Sequence, residues 1–486
     1  MRQPVTALRS GRAHALGGPQ WPTPPAGFDA MPPIGSNFVL ALALYIVVAV
    51  PKTNALLPAL DVIKPGKILA VLVLLTALTT PLADRLRAVF RTRVAKAGGL
   101  ITLLMIVGVP FSIWPGHSLG YFRDQGLQTF FLFALAAAAF TDRRAVPVLA
   151  TAWVLGAGLG ALRMLAPGAL SVQGRVMMSV AFDPNDSAAL LVCTLPFALW
   201  MSSRRGLSRV AGIVTALASV LAIVRSGSRG GLIGLAIIGL FMLYVAPPRR
   251  RLAFVAAALV GALVVSFTAS DDLRARMKSV FSDDAKQEDY NFTDRDGRIE
   301  IWKRGIGYMV ARPLLGVGVD GFETAEGTLG GKQNEGFGIR YAAAHNSFVQ
   351  IGAELGVFGL ASYIAAILFA ATGLLGVRKR ALRARQFVPA LADRELALTA
   401  AAISALIGIT TTGFFLSFGY HPITMFVWAV CIGVIVGSPF ARDVDWAASG
   451  SPADLPAADD SPAVSVAEVR PTPLPRGTPG WRSRAR

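Results

Sequence analysis

Apolar blocks of roughly 15 to 25 residues recur along the chain, the length of helix that crosses the hydrocarbon core of a bilayer. Short breaks dense in arginine and lysine separate them. A backbone in lipid must satisfy its own polar groups, so helices are the expected spanning element. Of the 486 residues 53% are apolar and 16% charged, where a soluble domain has about half and a quarter. The expected fold class is an all-α polytopic membrane protein.

A window of about 19 residues gives about twelve transmembrane helices. They lie near 36–50, 66–82, 98–114, 127–140, 146–165, 187–201, 210–225, 230–246, 252–268, 346–376, 395–415 and 422–438. The net charge of +18 sits in the breaks: "DRLRAVFRTRVAK" at 84–96, "DRR" at 142–144, "SRRGLSR" at 203–209, "RRR" at 249–251 and "RKRALRAR" at 378–385. Counted from a cytoplasmic N-terminus, every one of these clusters falls on the cytoplasmic side, as the positive-inside rule requires. This placement accounts for the charge without nucleic acid, and no aromatic-plus-basic module accompanies it.

The same count puts 115–126, 166–186, 226–229, 269–345 and 416–421 outside. The periplasmic loop 269–345 far exceeds ordinary connection lengths, which marks it as functional or disordered. Within "GRIEIWKRGIGYMVARP", Ile299, Trp302, Ile306, Met309 and Val310 recur near helical spacing. An amphipathic helix at the outer, membrane-facing rim is expected there. Pro313 ends it, and "LLGVGVDGF" supplies a glycine-rich turn. The domain reading is a Pro/Gly-rich disordered segment at 1–35 without the apolar run of a signal peptide, a transmembrane domain at 36–441, and a disordered cytoplasmic tail at 442–486. Cys193 and Cys431 lie in apolar blocks with no disulfide or zinc spacing, so they read as small buried apolar residues.

Polar residues inside or beside apolar helices need a reason. In "YAAAHNSFVQIGAELGVFG" (341–359), Asn346, Gln350 and Glu354 form a stripe at i, i+4 and i+8, with Gly352, Gly356 and Gly359 nearly opposite. Those glycines would let another helix approach closely. Asn346 is a candidate N-cap. Glu354 calls for a wet cavity or a basic partner, or else the stripe is glue between helices without chemistry. In "VRSGSRGGLIG" (224–234), Arg225 and Arg229 stand on the side where cations are disfavoured. An anion site explains them, with guanidinium forks and the next helix's N-terminus as donors; the alternative is snorkelling to the interface. Asp183-Pro184-Asn185-Asp186 reads as a helix cap. Arg175 is an anion contact or a loop charge. Arg298 and Arg340 are surface charges by default, and His421 a structural histidine. No histidine or acidic spacing suggests a metal site, and "GVGVDGF" lacks the strand–turn–helix context of a dinucleotide fingerprint.

Taken in order, "FDPND", "SGSRGG", "GRIEIWKRGIGYMVARPLLGVGVDGF" and "AAHNSFVQIGAELGVFGLASY" resemble motifs of the O-antigen ligase and O-antigen polymerase family of bacterial membrane glycosyltransferases. The resemblance covers roughly 172 to 365. It implies transfer of a glycan from a polyprenyl-diphosphate carrier at the periplasmic face of the bacterial inner membrane, with no metal and no cofactor. The family's essential arginines fall on Arg229 and Arg298 and its essential histidine on His345, with Glu354 a frequent position and Arg175 a looser match. The implied roles are His345 as general base and Arg229 with Arg298 on the diphosphate. Arg175, Arg225, Arg340, Asn346 and Glu354 are the candidate substrate-binding residues. Implied partners are a polyprenyl-diphosphate-linked glycan donor, a glycan or lipid A–core acceptor, and membrane lipids. Ligase and polymerase share the donor chemistry, so the motifs leave both open, along with a protein-glycosylating relative. A polysaccharide or lipid-carrier flippase is the rival from another class, though the halves show no internal repeat.

Overall fold

The computed structural model describes residues 31, 33–56, 63–172, 174–247, 251–252, 297–330 and 342–442. Most of the 1–35 segment, the span near 252–268, much of the loop 269–345 with Arg340, and the tail after Arg442 lie outside these residues. In chain order the helices are α1 (Ser36–Ala49), α2 (Pro65–Leu78), α3 (Ala83–Arg91), α4 (Arg93–Gly108), the short α5 (Pro115–Tyr121), α6 (Leu127–Phe140), α7 (Val146–Leu165), α8 (Pro184–Ser202), α9 (Leu207–Arg225), α10 (Arg229–Val245), α11 (Arg298–Ala311), α12 (Ser347–Ala384), α13 (Pro389–Gly413) and α14 (Pro422–Gly437). A two-stranded antiparallel ribbon, β1 (Ser171–Val172) and β2 (Arg175–Val176), pairs Ser171 with Val176 and Val172 with Arg175.

Every expected span that falls in described residues holds a helix. Among the described residues, five helices are long and apolar enough to cross a membrane, or six if α2 and α3, bent by 105°, form one span. The sequence reading of twelve also counted shorter apolar helices such as α1, α10 and α14. A second difference concerns the basic segment 378–385, expected as a loop. α12 continues through it to Ala384, because nothing in "RKRALRA" breaks a helix.

Most of the helices share one large apolar core, while Ile301 and Tyr308 of α11 pack in a separate cluster with Phe322 and Ala353. α8 packs on α9 and α13, α6 on α14, α7 on α1 and α9, and α12 on α4 and α13. Trp153 meets the rings of Phe197 and Phe426, each at 5.0 Å, and Tyr363 meets Trp428 at 5.4 Å. Cys193 and Cys431 are free and buried in this core, as expected.

The bundle's two ends differ in chemistry. At one end Arg85 pairs with Asp142 at 3.7 Å, and Asp142 also accepts from Ile34 N–H at 2.8 Å. There Arg143 reaches Glu395 at 2.5 Å and the carbonyl of Val434 at 2.7 Å. Arg380 donates to the carbonyls of Phe440 and Ala441 at 2.6 and 3.0 Å. This is the end that carries the basic clusters at 84–96, 142–144 and 378–385. The opposite end gathers the starts of α8, α10, α12 and α14 and the ends of α7, α9 and α13.

α12 is not one straight rod. At Gly356 the backbone leaves the helical region, with φ 71° and ψ −169°, a conformation that favours glycine. The segment after α11 fills the break. Val317 and Gly318 donate to the carbonyls of Ala353 and Glu354 at 2.8 and 3.1 Å, and Val357 donates to the carbonyl of Pro313 at 2.8 Å. Backbone groups released by the kink are thereby satisfied inside the protein, as a spanning helix requires. A Cβ on Gly356 would lie 2.3 Å from that Pro313 carbonyl oxygen. The glycine face of α12 therefore does admit a close neighbour, but that neighbour is the turn at Pro313–Leu314 as well as a helix.

α11 forms where expected, with a different face against the bundle. Ile301, Gly305 and Tyr308 are buried, whereas Ile299, Ile306 and Val310 are exposed. Gly305 decides this: a Cβ there would meet Val349 at 2.5 Å and Phe322 at 2.8 Å, so this side alone approaches α12 closely. The exposed apolar side fits the expectation of a helix at the rim.

Candidate functional site

Three segments with different structural reasons meet at the end opposite the paired arginines. The first is "FDPND". Asp183 caps α8 by accepting from Asn185 N–H at 2.6 Å and Asp186 N–H at 2.7 Å, and Asp186 returns a bond to Asp183 N–H at 3.3 Å. This reciprocal box fixes the turn. Asn185 is left facing Arg175, whose Nη2 donates to its Oδ1 at 2.6 Å while Nε donates to the carbonyl of Ser226 at 2.9 Å. Arg175 thus ties the ribbon and the α8 cap to the "SGSRGG" turn.

The second segment is that turn. Ser228 caps α10, accepting from Gly231 N–H at 3.1 Å, so Arg229 is the first residue of the helix rather than a loop residue. Gly230 lies against Phe415, with space for no more than a hydrogen: a Cβ would stand 3.0 Å from the phenylalanine side chain. Arg225 turns elsewhere. Its Nη1 donates to the carbonyls of Met164 and Leu165 at 3.2 and 3.3 Å, neutralising the C-terminal turn of α7.

The third segment is the mouth of α12. Asn346 is the N-cap expected from the sequence, its Oδ1 accepting from Phe348 and Val349 N–H at 2.9 and 3.2 Å. His345 precedes it in a left-handed conformation, φ 47°, costly for any residue with a Cβ. Two bonds hold it there. His345 N–H donates to Ser417 Oγ at 3.0 Å, and the preceding carbonyl, of Ala344, accepts from the Trp302 indole at 3.0 Å. Trp302 is one helical turn beyond Arg298 on α11, so one helix face presents the guanidinium and pins the backbone beside the imidazole. The His345 side chain is half-buried. Burial lowers its pKa, the Arg298 charge lowers it further, and the Asp183 carboxylate opposes them. The net shift favours the neutral imidazole.

The loop between α13 and α14 holds these parts together. Besides Phe415 and Ser417, Phe414 stacks edge-on with Trp302 at 5.4 Å, and Ser347 Oγ donates to the Leu416 carbonyl at 2.8 Å. Gln350 accepts from Gly419 N–H at 3.1 Å. Glu354 accepts from the Tyr420 hydroxyl and, at 3.1 Å, from Phe322 N–H. The polar stripe on α12 is thus spent on backbone amides and a phenol of two loops. Glu354 is buried on these partners, where the sequence pointed to a wet cavity or a basic partner; of the two readings given to the stripe, glue describes its geometry. His421 caps α14 by accepting from Ile423 N–H at 3.3 Å and stacks on Phe418 at 4.2 Å. That is the structural role expected of it.

Of the expected site residues, Arg298 opens the helix whose Trp302 holds the backbone before His345, Arg229 starts the helix whose next residue, Gly230, lies against Phe415, and Arg175 braces the turn that bears Arg229. Arg225, Asn346 and Glu354 are engaged with backbone or phenol partners, and Arg340 lies outside the described residues. Sequence reasoning gave no role to Asp183 beyond capping, to Trp302 beyond helix periodicity, or to "FFLSFGY" at 414–420. The density of aromatic residues in so short a loop was the available signal. Among the described residues no group of three histidine, cysteine, aspartate or glutamate side chains is placed to hold a metal ion.

The fold is a mostly helical bundle with membrane-type apolar helices that gathers Arg175, Arg225, Arg229, Arg298 and His345 toward one end. Residues 211–364 match the family model described as O-antigen ligase. Over that stretch the chain is similar to the family that the motifs suggested. The matched stretch holds Arg225, Arg229, Arg298, His345 and Glu354; Arg175 and the α8 cap precede it. No curated protein matches the chain.

Proposed function

We propose that the protein transfers or polymerises glycan from a polyprenyl-diphosphate carrier at the periplasmic face of a bacterial inner membrane, in O-antigen or exopolysaccharide assembly. The observation that supports the reading is that the helix opened by Arg298 holds, through the Trp302 indole, the backbone carbonyl just before the half-buried His345. In the transfer, an acceptor hydroxyl oxygen attacks the anomeric carbon of the donor sugar. Its proton passes to the imidazole, the usual task of a general base near neutral pH. The bond from anomeric carbon to phosphate oxygen breaks, and the electron pair leaves with the polyprenyl diphosphate. Arg229 and Arg298 stabilise the charge that develops on that leaving group, where fixed guanidinium donors act best. Direct displacement inverts the anomeric centre. The basic clusters at the opposite end support the periplasmic orientation of this site. Arg175 acts by fixing the turn before Arg229, and Glu354 by fixing the loops around Tyr420.

Purified protein in vesicles supplied with lipid-linked glycan and acceptor tests this. Wild type forms the joined product, and H345Q and R229A at normal protein levels do not. Product formation by both variants at the wild-type rate overturns the assignment. Lipid-linked repeats given alone separate the two activities, since only a polymerase lengthens them. Joining of donor and acceptor in detergent, without two compartments, excludes a flippase.

A further inference from the structure

Lys52, in the connection after α1, is far in sequence from every motif described above and lies outside the matched stretch. It is held at φ 49°, one of four non-glycine residues with positive φ among the described residues, of which His345 is another. Such strain persists where surrounding structure enforces it, often at functional sites. The half-buried ammonium stands over the Phe182 ring, 5.3 Å from its centroid. Phe182, next to the α8 cap, contacts the His421 ring at 6.1 Å, and His421 stacks on Phe418. Phe418 adjoins Ser417, the residue that holds His345. An unbroken row of rings thus links Lys52 to the His345 loop, and the "FDPND" turn faces both.

We propose that Lys52 is a further substrate-binding cation of this site, taking an anionic oxygen group of the lipid-linked donor beside the α8 cap. The proposal rests on the glycan-transfer reading. Its physical basis is a cation that burial leaves poorly solvated. Desolvation lowers the Lys52 pKa, and the Asp186 charge offsets this. Among the described residues Lys52 closes no salt bridge, and the nearby carboxylates of Asp183 and Asp186 are occupied in capping α8. His421 adds no competing charge, since burial and the Lys52 charge push its pKa down to about 3. With Nδ1 accepting from Ile423 N–H, the neutral ring carries its proton on Nε2 as a fixed donor beside the ammonium. The anionic group is either the diphosphate of the carrier or an acidic substituent of the glycan.

The experiment compares wild type, K52M, K52R and the double variant K52M/D186N in vesicles. It measures donor KM, kcat, and inhibition by undecaprenyl diphosphate that carries no glycan. Activity of wild type and its loss in H345Q are established first, so failure of the glycan-transfer reading shows before Lys52 is tested. The expected result is a donor KM raised about tenfold in K52M, the size of one lost charge-assisted contact. kcat stays near wild type, and K52R restores KM. Inhibition by undecaprenyl diphosphate weakened in parallel assigns the anion to the carrier; unchanged inhibition assigns it to the glycan. An unchanged KM in K52M overturns the proposal. So does recovery of KM in K52M/D186N, which would make Lys52 only a counter-charge for Asp186.

Discussion

Arginine does different work at the two ends of this bundle. At the basic end Arg143 gives Nε and Nη2 to Glu395, at 3.2 and 2.5 Å, and further donors to the carbonyls of Phe140, Gly433 and Val434. Its charge is met by a fully buried carboxylate, so little field remains to act on anything else. At the other end Arg175 bonds neutral acceptors, the Ser226 carbonyl and Asn185 Oδ1, while the acidic neighbours Asp183 and Asp186 are turned into the α8 N-terminus. These two bonds fix the guanidinium in the turn that bears Arg229. The difference teaches that an arginine holds helices together when it closes a buried ion pair, and holds a turn in place when it bonds carbonyl and amide oxygens.

The sharpest break of this comparison is removal of one arginine from each end. R229A, like H345Q, is expected to lower glycan transfer by about 10²–10⁴-fold with normal protein levels, the range for loss of oxyanion stabilisation or a general base. R229K is expected to be damaging too, because a point charge does not reproduce a bidentate fork. R143M strands Glu395 in the core and is expected to cost about 3–5 kcal/mol of stability. The readout is a lower melting temperature in detergent and less protein in the membrane, with turnover per folded molecule unchanged. R143M/E395Q removes the orphaned charge and should recover most of that stability. If R143M instead abolished turnover while remaining as stable as wild type, the two ends would not differ in the way argued.

A smaller effect concerns the acid limb of the pH–rate profile. His345 must be neutral to accept a proton. Its pKa lies below the ordinary histidine value through burial and Arg298, with Asp183 opposing. Activity should accordingly persist below the ordinary histidine pKa, about 6.5, and fall as pH drops through the depressed value. Loss of the Arg298 cation in R298M raises the pKa, so the acid limb of its residual activity moves to higher pH. D183N removes the opposing anion and moves the limb to lower pH. Shifts in the same direction for both variants would show that neither charge acts on the imidazole. The sign for stability is the same: a histidine with depressed pKa in the fold stabilises above the unfolded pKa, and that contribution is lost as pH falls below it.

Much of this was legible in the sequence because it is local. The caps at Asp183 and Asn346 announce themselves in three or four residues, and the spans in the length of apolar blocks. The kink at Gly356 was not legible, because it depends on amides from Val317 and Gly318 arriving from across the fold to take the released carbonyls. The same is true of the buried face of α11. Periodicity chose Ile299, Ile306 and Val310, but Gly305 is where α12 comes close, and only the pair of helices reveals which side that is. Glu354 shows the limit most clearly: a carboxylate in an apolar helix states that it has a partner, and the partner, Tyr420, is 66 residues away.

The smallest expected effect tests whether α11 belongs to the site or only supports it. Trp302 donates its indole N–H to the carbonyl just before His345 while its ring rests on Phe414. W302F keeps an aromatic ring against Phe414 and deletes the donor. One neutral hydrogen bond is worth about 0.5–1.5 kcal/mol, and its loss lets the left-handed backbone at His345 relax. If the bond serves to aim the imidazole, kcat falls by roughly 2- to 10-fold with donor KM unchanged, and the melting temperature stays close to wild type. A strut would behave like Arg143 on a smaller scale, with a lower melting temperature and an untouched kcat per folded molecule. In that case Trp302 would be grouped with the basic end, and the positioning of His345 would fall to Ser417 alone.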